Sequence, residues 1–204
     1  MKKGFTLVEM LVVIGILGIL LGVLVSNFGG ATQQAEIAKG SELVSNVQTA
    51  LVSMYTHDGR WPESIVNGNG ANENRLGPEP GAAVARKGGL SLSYNTNSEG
   101  KYVLTGFDKF GVLDPWGQEV MKRNQSANLS TPVPQGGTIN DHIIRYAIDE
   151  EGTGITTATV CGKTIRVRAE AIVWSCGPDG VFDDLSKMGR SDDIFSFTKG
   201  QIIQ

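Results

Sequence analysis

The chain has 204 residues, 40% of them hydrophobic, and 18 Lys and Arg against 21 Asp and Glu give a net charge of −3. That length fits one N-terminal helix plus one globular domain large enough to bury a core. The mild acidity lacks the electrostatic footprint of a nucleic-acid binder. With His57 and His142 far apart, no nucleophile motif and no phosphate loop, the sequence offers no catalytic constellation, and an enzyme is not expected.

Met1-Lys2-Lys3-Gly4 is a short basic leader, and Phe5 to Val25 is an apolar run of mainly Leu, Val, Ile, Met and Gly, interrupted by Glu9. About 20 such residues in a helix match the hydrocarbon thickness of a bilayer. Lys2 and Lys3 hold the leader on the cytoplasmic side, which places the remainder of the chain outside. A carboxylate inside such a run is costly and needs a partner; snorkelling from the helix end to the headgroups is the plainer alternative. A secretory signal has a shorter apolar core, about 7–15 residues, and no internal acid. A plain anchor explains the length but not the order of Gly4 to Glu9.

Apolar residues then recur three or four apart, at Ile37, Leu43, Val44, Val47, Leu51 and Met54, among Gln, Glu, Lys and Ser. The two patterns predict one helix from Phe5 to about His57, with residues 5–25 apolar all round and residues 26–58 packing one stripe onto a domain. Gly29-Gly30 is its soft point, since glycine costs about 1 kcal/mol in a helix interior. His57-Asp58-Gly59, followed by Pro62, is the stop.

Residues 59–204 read as the globular part. The polar Gly-, Asn- and Pro-rich stretch from Glu63 to Gly100 is expected to be loop, with one short element near Leu90 to Tyr94. Strands are expected at Lys101–Thr105, Glu119–Lys122, His142–Ile148, Thr156–Val160 and Thr164–Trp174, forming an antiparallel meander with one face on the helix and the other in solvent. Asp114-Pro115-Trp116-Gly117 reads as a structural corner. The expected class is α+β, a long N-terminal helix packed on a small antiparallel sheet. Cys161 and Cys176 both lie in the outward-facing part, where a disulfide is permitted; unpaired small apolar residues are the alternative.

Five of the 21 acidic residues, Asp179, Asp183, Asp184, Asp192 and Asp193, fall in the loop 175–194. Carboxylates this dense repel unless a cation sits among them, and hard oxygens on a Gly-rich loop suit Ca²⁺ better than Zn²⁺. A solvated acidic loop is the competing reading.

The order Gly4-Phe5-Thr6-Leu7-Val8-Glu9-Met10-Leu11-Val12-Val13 resembles the processing site of type IV pilins and of type II secretion pseudopilins. The resemblance implies a prepilin peptidase that cuts after Gly4 and methylates Phe5. It also implies that Glu9 pairs with a neighbouring subunit's amino terminus to set the filament stagger, and Thr6 fits the same assembly motif. Tyr55 to Pro62 is similar to the Y-x-x-D-x-G-R-Y-P segment of major pseudopilins, one residue shorter and with Trp61 for Tyr. Asp114 to Gly117 matches their D-P-W-G corner. Ser175 to Gly180, with Asp192-Asp193-Ile194, resembles their calcium loop, which implies Asp179 and Asp193 as the first side-chain ligands and Asp192, Asp183 and Asp184 in reserve. Glu63–Gly106 and Val120–Val160 match no named pattern.

The resemblance therefore implies the type IV pilin fold and a subunit of a type II secretion pseudopilus. That subunit is single-pass in the inner membrane, with its domain in the periplasm, and later joins a homo-oligomeric filament. The implied partners are the prepilin peptidase, minor pseudopilins and the inner-membrane assembly platform. The alternative is a type IV pilin or minor pilin for adhesion, motility or DNA uptake. A different class, a binding module that borrows the anchor and presents residues 63–100, also fits.

Overall fold

The computed structural model describes residues 6–68, 74–160 and 162–203, without the side chains of residues 23–31. Gly4, Phe5 and Cys161 lie outside the described residues. The chain divides into two compact units, Met1–Glu36 and Ile37–Gln204.

Helix α1 spans Leu7–Asp58. In the first unit its described side chains face outward on every side: Leu7 is 82% exposed and Ile19 71%. A helix apolar all round offers no single stripe to bury, unlike the amphipathic half that follows. Among the described residues no helix is long and apolar enough to cross a membrane. The described side chains of the apolar stretch end at Gly22.

In the second unit α1 becomes amphipathic as its periodicity predicts. Val44, Val47, Ala50, Leu51 and Met54 are buried on one face. Gly40 belongs to that face, because a Cβ there would fall 2.5 Å from Ile194 Cδ1. The helix stops where expected: Gly59, at φ 65°, returns its N–H to the Tyr55 carbonyl at 2.8 Å. Trp61 stacks on Tyr55 at 4.7 Å and donates its indole N–H to the Asp149 carbonyl, fastening the chain after the stop.

The stretch expected to be loop contains two helices, α2 (Glu63–Gly68) and α3 (Pro78–Gly88). Helix α3 buries Gly81, Ala82, Ala83, Val84 and Ala85. Its apolar face is made of side chains too small to show as a hydrophobic stripe. Strand β1 (Tyr94–Thr96) and β2 (Tyr102–Leu104) then form an antiparallel hairpin with Tyr94 opposite Leu104.

The expected strand at 119–122 is helix α4, Pro115–Arg123. Asp114 is its N-cap, accepting the Gly117 N–H at 3.0 Å, and Pro115 takes the first helical position, where its missing N–H is not needed. The D-P-W-G corner is thus a helix start, and Trp116 is its buried anchor at 2% exposure.

Strands β3 (Arg145–Ile148), β6 (Ala171–Ser175) and β7 (Ile194–Phe195) form one antiparallel sheet in the order β3-β6-β7. Strands β4 (Thr156–Val160), β5 (Lys163–Val167) and β8 (Ile202–Ile203) form another in the order β4-β5-β8. The run expected as a single strand over Thr164–Trp174 is therefore two strands in two sheets, parted by residues 168–170. Every residue of β3 and β6 is buried, whereas β4 alternates buried and exposed.

The reason is the layering. Tyr146, Ile148, Ala171 and Val173 join the α1 core, while Ala147, Ile172 and Trp174 join a second core with Ala158, Val160, Ile165, Val167 and Phe197. The first sheet has a helix on one face and the second sheet on the other, so only the second sheet meets solvent. Gln48 adds a side-chain hydrogen bond from α1 to the Ala171 carbonyl at 2.9 Å.

Leu51→Ala opens a cavity beneath α1 and should lower the stability of the full-length protein in detergent by about 2–5 kcal/mol, whereas Thr159→Ala, on the exposed face of β4, should change it by less than about 0.5 kcal/mol. Thermal unfolding followed by circular dichroism separates the two, and equal losses would contradict this assignment of faces.

Candidate functional site

Two regions carry the residues singled out in the sequence, the start of α1 and the acidic loop. At the helix start, Glu9 Oε2 accepts both the Thr6 backbone N–H at 2.7 Å and the Thr6 hydroxyl at 2.8 Å. In return the Glu9 N–H donates to Thr6 Oγ1 at 3.3 Å. Thr6 precedes the first helical residue, Leu7, and Glu9 is the third helical residue, so the pair forms a reciprocal capping box. The arrangement satisfies helix-end donors that an apolar surround cannot, and it places a carboxylate at the positive end of the helix dipole. A Thr three residues before a Glu at the head of an apolar run is the sequence signature of this cap. Reading Glu9 as an isolated charge overlooks it.

In the acidic loop the five aspartates part company. Asp184 caps the short 3-10 turn Leu185–Lys187 through the Ser186 N–H at 2.8 Å and pairs with Lys163 at 3.1 Å. These bonds hold its carboxyl down at about 2. Asp183 pairs with Lys187 at 2.9 Å, and its N–H donates to Asp193 Oδ2 at 2.9 Å. Asp179 accepts the Val181 N–H at 2.9 Å.

Asp193 is buried, and its Oδ1 has no hydrogen-bond partner. Burial, with the charges of Asp192 and Asp183, pushes its carboxyl up to about 7. Burial raises Asp192 as well, helped by Asp179 and Asp183. Asp179, Asp183, Asp192 and Asp193 are thus near enough to feel one another, whereas Asp184 is engaged elsewhere. Among the described residues no group of three or more His, Cys, Asp or Glu side chains is placed to hold a metal ion. A cation here would draw most of its ligands from peptide carbonyls or water.

The disulfide expected between Cys161 and Cys176 is not formed at Cys176, which is a buried free thiol. Its sulfur accepts a hydrogen bond from the Arg145 guanidinium and donates one to the Asp141 carbonyl at 2.9 Å. Burial pushes the thiol up to about 12, so it is unreactive. Arg145 in turn lies over the Phe182 ring at 4.4 Å. The cysteine is occupied by a polar contact of the core that spacing in the sequence does not reveal.

Asp114, His142 and Ser175 also meet, a set that matches a hydrolytic triad in composition only. Ser175 Oγ donates to Asp114 Oδ2 at 2.9 Å, and His142 Nδ1 lies 2.9 Å from the same oxygen. His142 Nε2 lies 2.9 Å from the Gly136 carbonyl. The serine is bonded to the carboxylate rather than to the imidazole, and both ring nitrogens are taken, so no nucleophile is activated. Both Asp114 and His142 side chains are sealed from solvent.

Residues 1–25 match the family model described as the prokaryotic N-terminal methylation motif. A fimbrial protein of Neisseria meningitidis serogroup A is 29% identical over 141 residues, 65% of this chain and 82% of that protein. The N-terminal segment is type IV pilin-like. The chain's α+β architecture, an N-terminal helix followed by antiparallel sheets, is consistent with the type IV pilin fold. A type IV major pilin of Neisseria gonorrhoeae is 34% identical over 64 residues, 31% of this chain and 39% of that pilin. A type IV major fimbrial protein of Dichelobacter nodosus is 23% identical over 111 residues, 52% of this chain and 71% of that protein. The chain thus spans well under half of the gonococcal pilin's length. No solved structure shows significant similarity.

Thr6→Ala removes the hydroxyl that both accepts from and donates to Glu9. Amide hydrogen exchange in detergent micelles should accelerate several-fold at Glu9 and Met10 and stay unchanged beyond the second turn, because a cap acts on the first turn alone. Unchanged exchange at Glu9 would show that the box contributes nothing to helix start.

Proposed function

We propose that the chain is a subunit of a type IV pilus. A prepilin peptidase cuts after Gly4 and methylates Phe5, residues 5–25 hold the subunit in the inner membrane with its domain outside the cytoplasm, and the same residues then pack with those of other copies in the filament core. The observation that carries this reading is the exposed apolar surface from Leu7 to Leu21, headed by the Thr6–Glu9 capping box. The capped Glu9 would then meet the amino terminus of an adjacent subunit. A buried ion pair of that kind is a weak source of stability but a good register device.

The named relatives are pilins and fimbrial proteins, which supports a pilus over the pseudopilus of type II secretion. The pseudopilus reading keeps the support of the D-P-W-G helix start and the acidic loop. Deletion of the gene should abolish surface filaments seen by electron microscopy and leave exoprotein export intact; loss of export with filaments retained would reverse the assignment. Glu9→Ala should leave cleavage at Gly4 and methylation of Phe5 intact, as mass spectrometry would show, yet give no filaments. Normal filaments from that variant would remove Glu9 from assembly.

Calcium binding in the acidic loop belongs to the same proposal. The unpartnered Asp193 oxygen and the mutual repulsion of Asp179, Asp183, Asp192 and Asp193 suit a hard cation. Bound at about 100 times its dissociation constant, the ion would stabilise the fold by about 2.7 kcal/mol. Adding EGTA to the full-length protein should therefore lower its melting temperature by several degrees, and Asp193→Asn should abolish that response; no shift with EGTA would leave the loop as a solvated acidic turn.

A further inference from the structure

The buried cluster of Asp114, His142 and Ser175 is used neither by the helix start nor by the acidic loop, and its hydrogen bonds fix a protonation state. Both oxygens of the Asp114 carboxylate are engaged as acceptors, Oδ1 by the Gly117 N–H and Oδ2 by the Ser175 hydroxyl. An ionised carboxylate cannot donate, so His142 Nδ1 must carry a proton to bond it. The Gly136 carbonyl cannot donate either, so Nε2 must carry one too. A neutral imidazole has one N–H and could satisfy only one of these partners.

We propose that His142 is a buried imidazolium that clasps three segments together, the start of α4, the turn 131–142 and the end of β6, and that this clasp loosens as pH rises. Each segment is represented by one partner: Asp114 for the helix start, Gly136 for the turn and, through Asp114, Ser175 for the strand. The loop beyond β6 rests on the ring, since a Cβ built at Gly180 would lie 3.1 Å from Nε2. Losing one proton would therefore turn a bond into a repulsion between lone pairs at the centre of the junction.

The charged groups around the ring act in both directions. Burial opposes the imidazolium, while Asp114, the Gly136 carbonyl and Asp141 favour it and prevail, so the ring titrates above its ordinary value. The Asp141 carboxylate is held by the Thr138 N–H and hydroxyl, with the Arg75 guanidinium 3.9 Å away. Arg145, on β3, is turned to Cys176, and Asp179 precedes Gly180 in the overlying loop with its carboxylate on the Val181 N–H. Because the folded value lies above that of the unfolded chain, about 6.5, the clasp contributes in full below that pH and is lost as pH rises through the folded value.

The chain has two histidines, and His57, on the exposed end of α1, can be removed without touching the cluster. In a full-length His57→Gln protein in micelles, ¹⁵N chemical shifts of the remaining ring should show both nitrogens protonated at about pH 6.5, where a free histidine is about half neutral. The melting temperature should fall by several degrees between about pH 6.5 and the ring's own titration point, and His142→Gln should lose that dependence. A ring with one protonated nitrogen at about pH 6.5, or one that titrates as free histidine does, would overturn the proposal. The same holds for a melting curve with equal pH dependence in His142→Gln; should that variant fail to fold, the ring shifts decide alone.

Discussion

Strand β6, Ala171–Ser175, has no solvent face, and the second unit is arranged to supply it with two apolar ones. The α1 stripe covers Ala171 and Val173, while the β4-β5-β8 sheet covers Ile172 and Trp174. Each neighbour is amphipathic because each has a single partner to face. Taking either layer away would expose half of a five-residue apolar strand, so the helix stripe and the outer sheet are conditional on one another through β6.

The junction at the end of β6 converts this layering into a fixed geometry. Apolar layers can slide with little change in buried area, but hydrogen bonds have defined partners and lengths. Asp114 is bonded at once to its own helix through Gly117, to β6 through Ser175 and to the 131–142 turn through His142. Cys176 and Arg145 continue the polar seam towards Asp141 and Phe182. The acidic loop follows this seam, and within it Asp183 and Asp184 are each drawn to a lysine while the Asp183 N–H bonds Asp193.

Elements were legible in the sequence wherever one large-residue face opposed one polar face. The stripe Val44, Val47, Leu51 and Met54, the stop at Gly59 and the alternation of β4 all follow that rule. Helix α3 was not legible because Gly81 to Ala85 bury their face with almost no side-chain volume. The sequence runs β5 into β6 without a visible break because burial of β6 on both faces removes the alternation that would mark a boundary at residues 168–170. Asp114-Pro115 fits a turn and a helix start equally well in the sequence, and the Gly117 N–H returning to the Asp114 carboxylate shows that it is a helix start. Thr6 and Glu9 carry the signature of a capping box, and Glu9 in an apolar run reads as a lone charge only when Thr6 is left out of the pattern.

That charge also governs how the first unit is used in the proposed filament. Moving an apolar helix from lipid to the company of other apolar helices exchanges one hydrocarbon surround for another, so burial provides no preference between the two. The preference must come from packing and from polar groups, and Glu9 is the ionisable side chain among residues 6–22. Both Thr6 donors go to Oε2, and a carboxylate offers about four acceptor positions, so the cap leaves Glu9 with capacity for a further donor. Under the proposed function, a subunit would enter the membrane with its helix end already satisfied and still hold an acceptor for the amino group of the next. In the proposed filament the capping box would make the carboxylate tolerable in lipid while leaving it able to form one ion pair per subunit, a contact with a defined partner that could choose a register where apolar contacts cannot.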